Sequence, residues 1–376
     1  MKDLGIKQNY PLNKLTTFKI GGPAKYYKEV REMEDVERLI KLANDKGLDI
    51  LVIGGGSNLL VSDQGFDGLV IRVDIKGMKV LDQGDNHVKI EVGAGEIFDH
   101  LVLAAVKKDW WGVENMSGIP GRVGGFVVQN AGAYGQETVD VVESVDVYNI
   151  IEGKVEKIYK KDCQFGYRTS LFNNNRDKYL IFRAVVALNK PIAKKYDGNL
   201  AQLEYPDLKK YFKEKGIKNP NIKQVREAVI FIRSNKFPSW GKYGNSGSFF
   251  KNLLLNQDEY KVLYDNVKRN FDAQVVEKLK QIKNKFPIDG AIKIPTNFLI
   301  DICGLKGLEI NGVKVNEKQP VALINQSGKA TSTGVMEMFK KVRQEVYQKT
   351  GMKLEPETRL VGFSQKELDV YFELGS

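Results

Sequence analysis

A chain of 376 residues with 42% hydrophobic and 28% charged side chains exceeds one compact core and has ordinary globular proportions, so two or three folded domains are expected. No apolar run approaches the roughly 20 residues of a membrane span, and Met1 to Lys7 lacks the apolar core of a signal peptide, so a cytoplasmic protein without a membrane partner is expected. The formal charge of +11 suits solubility or an anionic metabolite; without a dense basic arm or an RNA-binding aromatic signature, no nucleic-acid partner is expected.

From Ala24 to Val73 the pattern reads strand, helix, strand, strand. Val36, Leu39, Ile40 and Ala43 recur at helical spacing, and Gly47 stops that helix before the buried-strand run Ile50 to Ile53. A second block, from about Val88 to Leu188, has strands at Val88 to Val92, Val139 to Ile150 and Tyr179 to Leu188, and a helix at Ile97 to Lys107. The glycine-rich stretch Gly112 to Gly135 inside it is too long for an idle loop and too apolar for disorder. Asn189 to Pro220 is polar and Lys-rich and reads as an insertion or connection. A third block opens with an amphipathic helix, Ile222 to Arg233. It carries a strand at Val321 to Asn325 and closes with a helix at Val335 to Tyr347.

Residue types narrow the chemistry. Cys163 and Cys303 belong to no CxxC pattern, which fits a reducing compartment and argues against structural zinc. With only His87 and His100, a His-based triad or a His-rich metal centre would rest on two residues. No metal is expected, and acid–base work falls to carboxylates, hydroxyls or lysines.

Two glycine loops stand out. Gly54-Gly55-Gly56-Ser57-Asn58 follows a buried strand and can turn backbone N–H groups toward a phosphate, or can be a tight turn between strands. It has neither the Gly-Lys-Ser/Thr of a P-loop nor a GxGxxG leading into a helix. Six glycines between Gly118 and Gly135 suit a backbone wrapped closely around a flat or anionic ligand, which favours a bound cofactor.

Three stretches, Thr17-Phe18-Lys19-Ile20-Gly21-Gly22, Ile53-Gly54-Gly55-Gly56-Ser57-Asn58-Leu59-Leu60, and Gly118-Ile119-Pro120-Gly121 with Gly124-Gly125 through Asn130-Ala131-Gly132-Ala133-Tyr134-Gly135, resemble the flavin-binding motifs of the UDP-N-acetylenolpyruvoylglucosamine reductase (MurB) family, in family order. The resemblance implies an α+β fold. Its FAD-binding domain would be of the p-cresol methylhydroxylase/vanillyl-alcohol oxidase type, with subdomains at 1–73 (joined by 358–376) and 74–190. A connecting segment at 191–220 and a substrate-binding α+β domain at 221–357 would follow. Asn58 stands where covalent relatives often carry a flavin-linking His, so non-covalent FAD is implied, with NADPH as co-substrate and a monomer expected.

The resemblance also marks a site. Arg168, in Phe165-Gly166-Tyr167-Arg168-Thr169-Ser170, is a fixed cation among aromatics suited to carboxylate recognition, or a surface cation–π pair; by the family's motif it lies in the active site with Tyr167. Ser248, in Asn245-Ser246-Gly247-Ser248-Phe249-Phe250-Lys251-Asn252, matches the family's proton donor, although the segment could be a strand with a glycine bulge. Leu253 follows Asn252 where Pro is usual. In Leu354-Glu355-Pro356-Glu357-Thr358 the second acid, Glu357, matches the catalytic Glu, and Thr358 replaces the usual Val. Tyr205, with Pro206 in place of a usual glycine, and Lys236 match residues contacting the substrate pyrophosphate in the longer-loop subtype. Asn252 is a further substrate or nicotinamide contact. The implied reaction is reduction of UDP-N-acetylglucosamine enolpyruvate to UDP-N-acetylmuramate. Another flavin oxidase, or a nucleotide-binding module without catalysis, remains open at this stage.

Overall fold

Alternation of apolar and polar residues makes strands of the segments that the sequence marks, and the computed structural model describes them within residues 4–190, 205–237, 243–285, 287–288 and 290–374. Much of the connection expected at Asn189 to Pro220, residues 191–204, lies outside the described residues. Two compact units emerge. Unit 1 holds Met1–Tyr10, Ala24–Gly56 and Asp67–Asn235; unit 2 holds Pro11–Pro23, Ser57–Phe66 and Lys236–Ser376. Among the described residues no helix is long and apolar enough to cross a membrane.

In unit 1 a four-stranded sheet runs in the order Lys7–Pro11, Pro23–Val30, Phe66–Val73, Asp49–Ile53. The last two strands are parallel, with Ile50 opposite Leu69 and Val52 opposite Ile71. The helix Met33–Asp45 buries Val36, Leu39, Ile40 and Ala43, the stripe its sequence marks. A five-stranded antiparallel sheet follows, in the order Lys154–Tyr159, Val142–Asn149, Tyr179–Asn189, His87–Gly93, Met78–Gln83. Residues 139–141, expected to begin the Val142 strand, instead complete a short helix, Thr138–Val141, closed by a capping box between Glu137 and Asp140. The helix Ile222–Lys236, expected to open the third block, buries Ile222, Val225, Ala228, Val229 and Ile232 in the core of unit 1. The chain leaves unit 1 for the last time after Asn235.

Unit 2 packs two small antiparallel sheets against helices. One sheet orders Gly244–Asn245, Leu323–Asn325, Val313–Val315 and Glu309–Ile310; the other, Leu253–Leu255, Ala291–Ile294 and Pro287–Ile288. Its longest helix, Ser332–Thr350, buries Val335, Phe339, Val342 and Val346 and ends at Gly351 in the left-handed region. Leu59–Val61 pairs in parallel with Arg359–Val361, bringing the continuation of the first glycine loop beside the end of the Glu357 segment.

Candidate active site

The two glycine loops of unit 1 meet backbone to backbone. A Cβ on Gly55 would stand 3.0 Å from the Cα of Gly121, which has no side chain to move aside, so this approach requires glycine. In front, a Cβ on Gly54 would meet nothing nearer than the Arg122 side chain at 3.6 Å, and one on Gly125 would meet nothing within 4 Å. Arg122 itself is engaged: it donates from Nη1 to the Val73 carbonyl (2.7 Å) and is paired with Asp74. Burial alone would raise the Asp74 carboxyl, but Arg122 and Lys76 outweigh it and hold it below the usual carboxylate range. Beneath the second loop, Gly118 N–H donates to Asp99 (2.8 Å), whose two oxygens also accept from Arg226 (2.7 Å each).

The glycine cluster around Asn130 carries Arg168. Asn130 sits in the left-handed region at φ 44° and accepts from Val139 N–H through Oδ1 (2.9 Å) while donating to Glu137 and to the Gly166 carbonyl. Arg168 lies in a tight turn bridged between Gly166 and Thr169, and its own φ of 54° is in the left-handed region that residues with a Cβ rarely adopt. Its guanidinium donates to the carbonyls of Asn130 (3.2 Å) and Gly132 (2.7 Å), stands 3.7 Å from Glu137, and lies over the Tyr167 ring at 5.3 Å. Tyr205 meets Tyr134 edge to face at 5.2 Å. Burial pushes the Tyr134 phenol up to about 12, against the pull of Arg233. Burial also raises Tyr205, with Asp207 and Tyr167 adding to the rise and Arg168 opposing it. Unit 1 therefore gathers Arg168, Tyr167, Tyr134 and Tyr205, and both buried phenols remain neutral hydrogen-bonding groups at ordinary pH.

In unit 2 the Ser248 segment lies against the Glu357 segment. Glu357 N–H donates to the Phe249 carbonyl (2.7 Å), Lys251 N–H to the Glu355 carbonyl (2.9 Å), and Phe250 forms a bridge with Pro356. The loop that carries Ser248 turns at Gly247, φ 77°, whose N–H is taken by Asn245 Oδ1 at 3.0 Å. Asn245 is held in turn: its N–H donates to the Thr17 carbonyl and its carbonyl accepts from Thr17 Oγ1 at 2.7 Å. The Thr17 to Gly22 motif thus braces the Ser248 segment within unit 2. Asn58 donates from Nδ2 to the Glu357 carbonyl (3.1 Å), and its own carbonyl accepts from Arg359 N–H (3.1 Å). Asn252 Oδ1 accepts from Thr296 N–H (3.0 Å), and the Lys236 carbonyl accepts from Asn316 Nδ2 (2.9 Å). The neighbouring acid differs: Glu355 is exposed and pairs with Arg343 (3.4 Å), whereas Glu357 is half-buried.

Residues 24–159 match the model for an FAD-binding domain, and residues 239–361 match that for the C-terminal domain of UDP-N-acetylenolpyruvoylglucosamine reductase. The UDP-N-acetylenolpyruvoylglucosamine reductase of Amoebophilus asiaticus is 34% identical over 95% of this chain and 100% of its own length. That of Pseudomonas aeruginosa is 33% identical over 95% and 99%. The chain belongs to the UDP-N-acetylenolpyruvoylglucosamine reductase (MurB) family. The crystal structure of the MurB of Thermus caldophilus shares its fold, with a TM-score of 0.61 and 24% identity over 95% of this chain and 98% of that one.

FAD is the cofactor of the MurB family, and the main-chain cradle of Gly54, Gly55, Gly121 and Gly125 fits a group that must come directly against backbone. The residues expected to serve this MurB site divide between the units. Ile53, Gly54, Gly55, Gly56, Gly118, Ile119, Pro120, Gly121, Gly124, Gly125, Asn130, Gly132, Ala133, Tyr134, Tyr167, Arg168 and Tyr205 belong to unit 1; Ser57, Asn58, Leu59, Lys236, Ser248, Asn252 and Glu357 belong to unit 2. Sequence reasoning missed Asp99 and Arg226 altogether, and it gave no role to Thr17 and Ser246 within their motifs. Their types are unremarkable, and only folding brings each beside a functional loop.

Proposed function

We propose that Arg168, Ser248 and Glu357 handle the charge and the proton in the reaction of this family, the NADPH-dependent reduction of UDP-N-acetylglucosamine enolpyruvate to UDP-N-acetylmuramate in peptidoglycan precursor synthesis. FAD, when bound, passes a hydride from NADPH to the terminal vinyl carbon of the substrate. As that C–H bond forms, the vinyl electron pair moves onto the adjoining carbon and its carboxylate. Arg168 and a protonated Glu357 stabilise the enolate so formed, the task for which preorganised donors are worth about 10²–10³ in rate. Ser248 Oγ then gives its proton to the adjoining carbon: the O–H bond breaks, a second C–H bond forms, and the alkoxide takes a proton back from solvent water. Tyr205 and Lys236 hold the substrate pyrophosphate, with Tyr167 and Asn252 as further contacts.

The observation that carries this reading is the pairing of the two segments in unit 2. Glu357 N–H on the Phe249 carbonyl ties the residue after Ser248 to the acid, so the segments that carry hydroxyl and carboxyl are joined by main-chain bonds. The exposed ion pair of Glu355 with Arg343 supports Glu357 as the acid. Non-covalent FAD follows from Asn58, an amide without nucleophilic character that is hydrogen-bonded to the Glu357 carbonyl. A cytoplasmic location and a monomeric state complete the reading.

An absorbance spectrum tests it. The flavin band should bleach on anaerobic addition of NADPH and return on addition of the enolpyruvyl substrate. In Ser248→Ala it should bleach as before and return more slowly by a factor of at least about 10². A native rate of return in Ser248→Ala would remove Ser248 from the chemistry.

A further inference from the structure

Ser246 and Thr358 form a hydroxyl pair at 2.7 Å, and both residues are buried, at 5% and 2% exposure. We infer that this pair is a positioning device that sets Ser248 against Glu357; the inference rests on the reading of Ser248 as proton donor. Thr358 follows Glu357 directly, and Ser246 precedes Ser248 by two residues. The loop carrying Ser248 is tied to the Glu357 segment on both sides: the hydroxyl pair joins Ser246 to Thr358, and the Phe249 carbonyl accepts from Glu357 N–H. The two ties land on neighbouring residues, just before the strand Arg359–Val361.

Between them the backbone contains only Gly247, in the left-handed region, and Ser248 itself. With one tie removed, the Phe249 bond becomes a pivot and Gly247 a soft joint beside it, and Ser248 Oγ can swing relative to the acid. A buried hydroxyl left alone also seeks another partner, which pulls the loop further from its register. Neither hydroxyl is offered as a reacting group; each acts through Ser248.

The test uses FAD-loaded enzyme, reduced anaerobically with NADPH and mixed rapidly with UDP-N-acetylglucosamine enolpyruvate. Thr358→Val and Ser246→Ala should slow flavin reoxidation about 10-fold or more while leaving reduction by NADPH and the KM for the enolpyruvyl substrate at native values. Thr358→Ser, which keeps the hydroxyl, should restore the rate to within about twofold of native. Because both substitutions remove one bond, the double variant should be no slower than the slower single variant; losses that multiply would overturn the pair as a unit. Hydrogen exchange of the peptide spanning 245–251 should quicken in Thr358→Val and recover in Thr358→Ser. Native reoxidation and native exchange in both single variants would overturn the inference even where Ser248→Ala is slow. If Ser248→Ala itself reoxidises at the native rate, the parent reading fails instead.

Discussion

Asp99 carries more of the second glycine loop than its place on a helix suggests. Its carboxylate accepts from Nη1 and Nη2 of Arg226 and from Gly118 N–H at the start of the second glycine loop. Burial acts to raise its pKa, but Arg226 and the Gly118 N–H prevail and hold it below the ordinary carboxylate range. Its folded value lies below its unfolded value, so its stabilisation is complete above the unfolded carboxylate pKa of about 3.9 and is lost as the pH falls through the lowered folded value. Asp99→Asn should therefore lower unfolding stability at pH 7 by about 2 kcal/mol, and the gap to the native protein should close below about pH 4 in urea titrations. Gly55 gives a second residue-scale prediction. Gly55→Ala puts a methyl 3.0 Å from the Gly121 Cα, so the loops must part and FAD affinity should fall at least about tenfold in a fluorescence titration, with little change in the secondary-structure spectrum.

At the scale of elements, the helix Ser332–Thr350 depends on a segment far away in sequence. Asp63 accepts from Ser332 N–H (2.9 Å) and Thr333 N–H (3.2 Å), and Asp63 N–H donates to Ser332 Oγ (2.8 Å). This remote cap anchors the loop that follows Leu59–Val61 to the first turn of the main helix of unit 2, in addition to the local cap from Thr331. Asp63→Ala should cost about 1 kcal/mol of stability in thermal or urea unfolding and raise exchange at the helix start. Elements were legible where a periodic pattern ran long enough. The Met33–Asp45 and Ser332–Thr350 helices and the Tyr179–Asn189 strand all lie where their apolar spacing puts them. The helix Val123–Gln129 was illegible, because its paired glycines discourage helix formation. Packing explains them: Gly124 donates to the Ala94 carbonyl at 2.9 Å, and a Cβ there would stand 3.1 Å from the Ala94 Cβ.

Across the whole molecule the chain passes five times between the units, so neither unit is one continuous stretch of sequence. Unit 2 takes the Leu59–Val61 strand, the Thr17 brace and the Asp63 cap from the N-terminal part of the chain. A fragment comprising 236–376 should therefore remain poorly ordered, with weak near-ultraviolet dichroism and rapid hydrogen exchange. Addition of a fragment comprising 1–235 should be needed to restore order.

The sequence by itself marked the segments and pointed to the family, because glycine runs, the Ser-Phe-Phe-Lys-Asn segment and the Glu-Pro-Glu segment are local signals. Each is complete within a dozen residues and tied to residue types that their work requires. The tertiary structure alone decided which of these segments meet. Asn58 reaches the Glu357 carbonyl across 299 positions, Ser246 reaches Thr358 across 112, and Glu357 N–H finds the Phe249 carbonyl through bare main chain. Backbone donors and acceptors are the same in nearly every residue, so no side-chain pattern announces such a pairing before folding selects it.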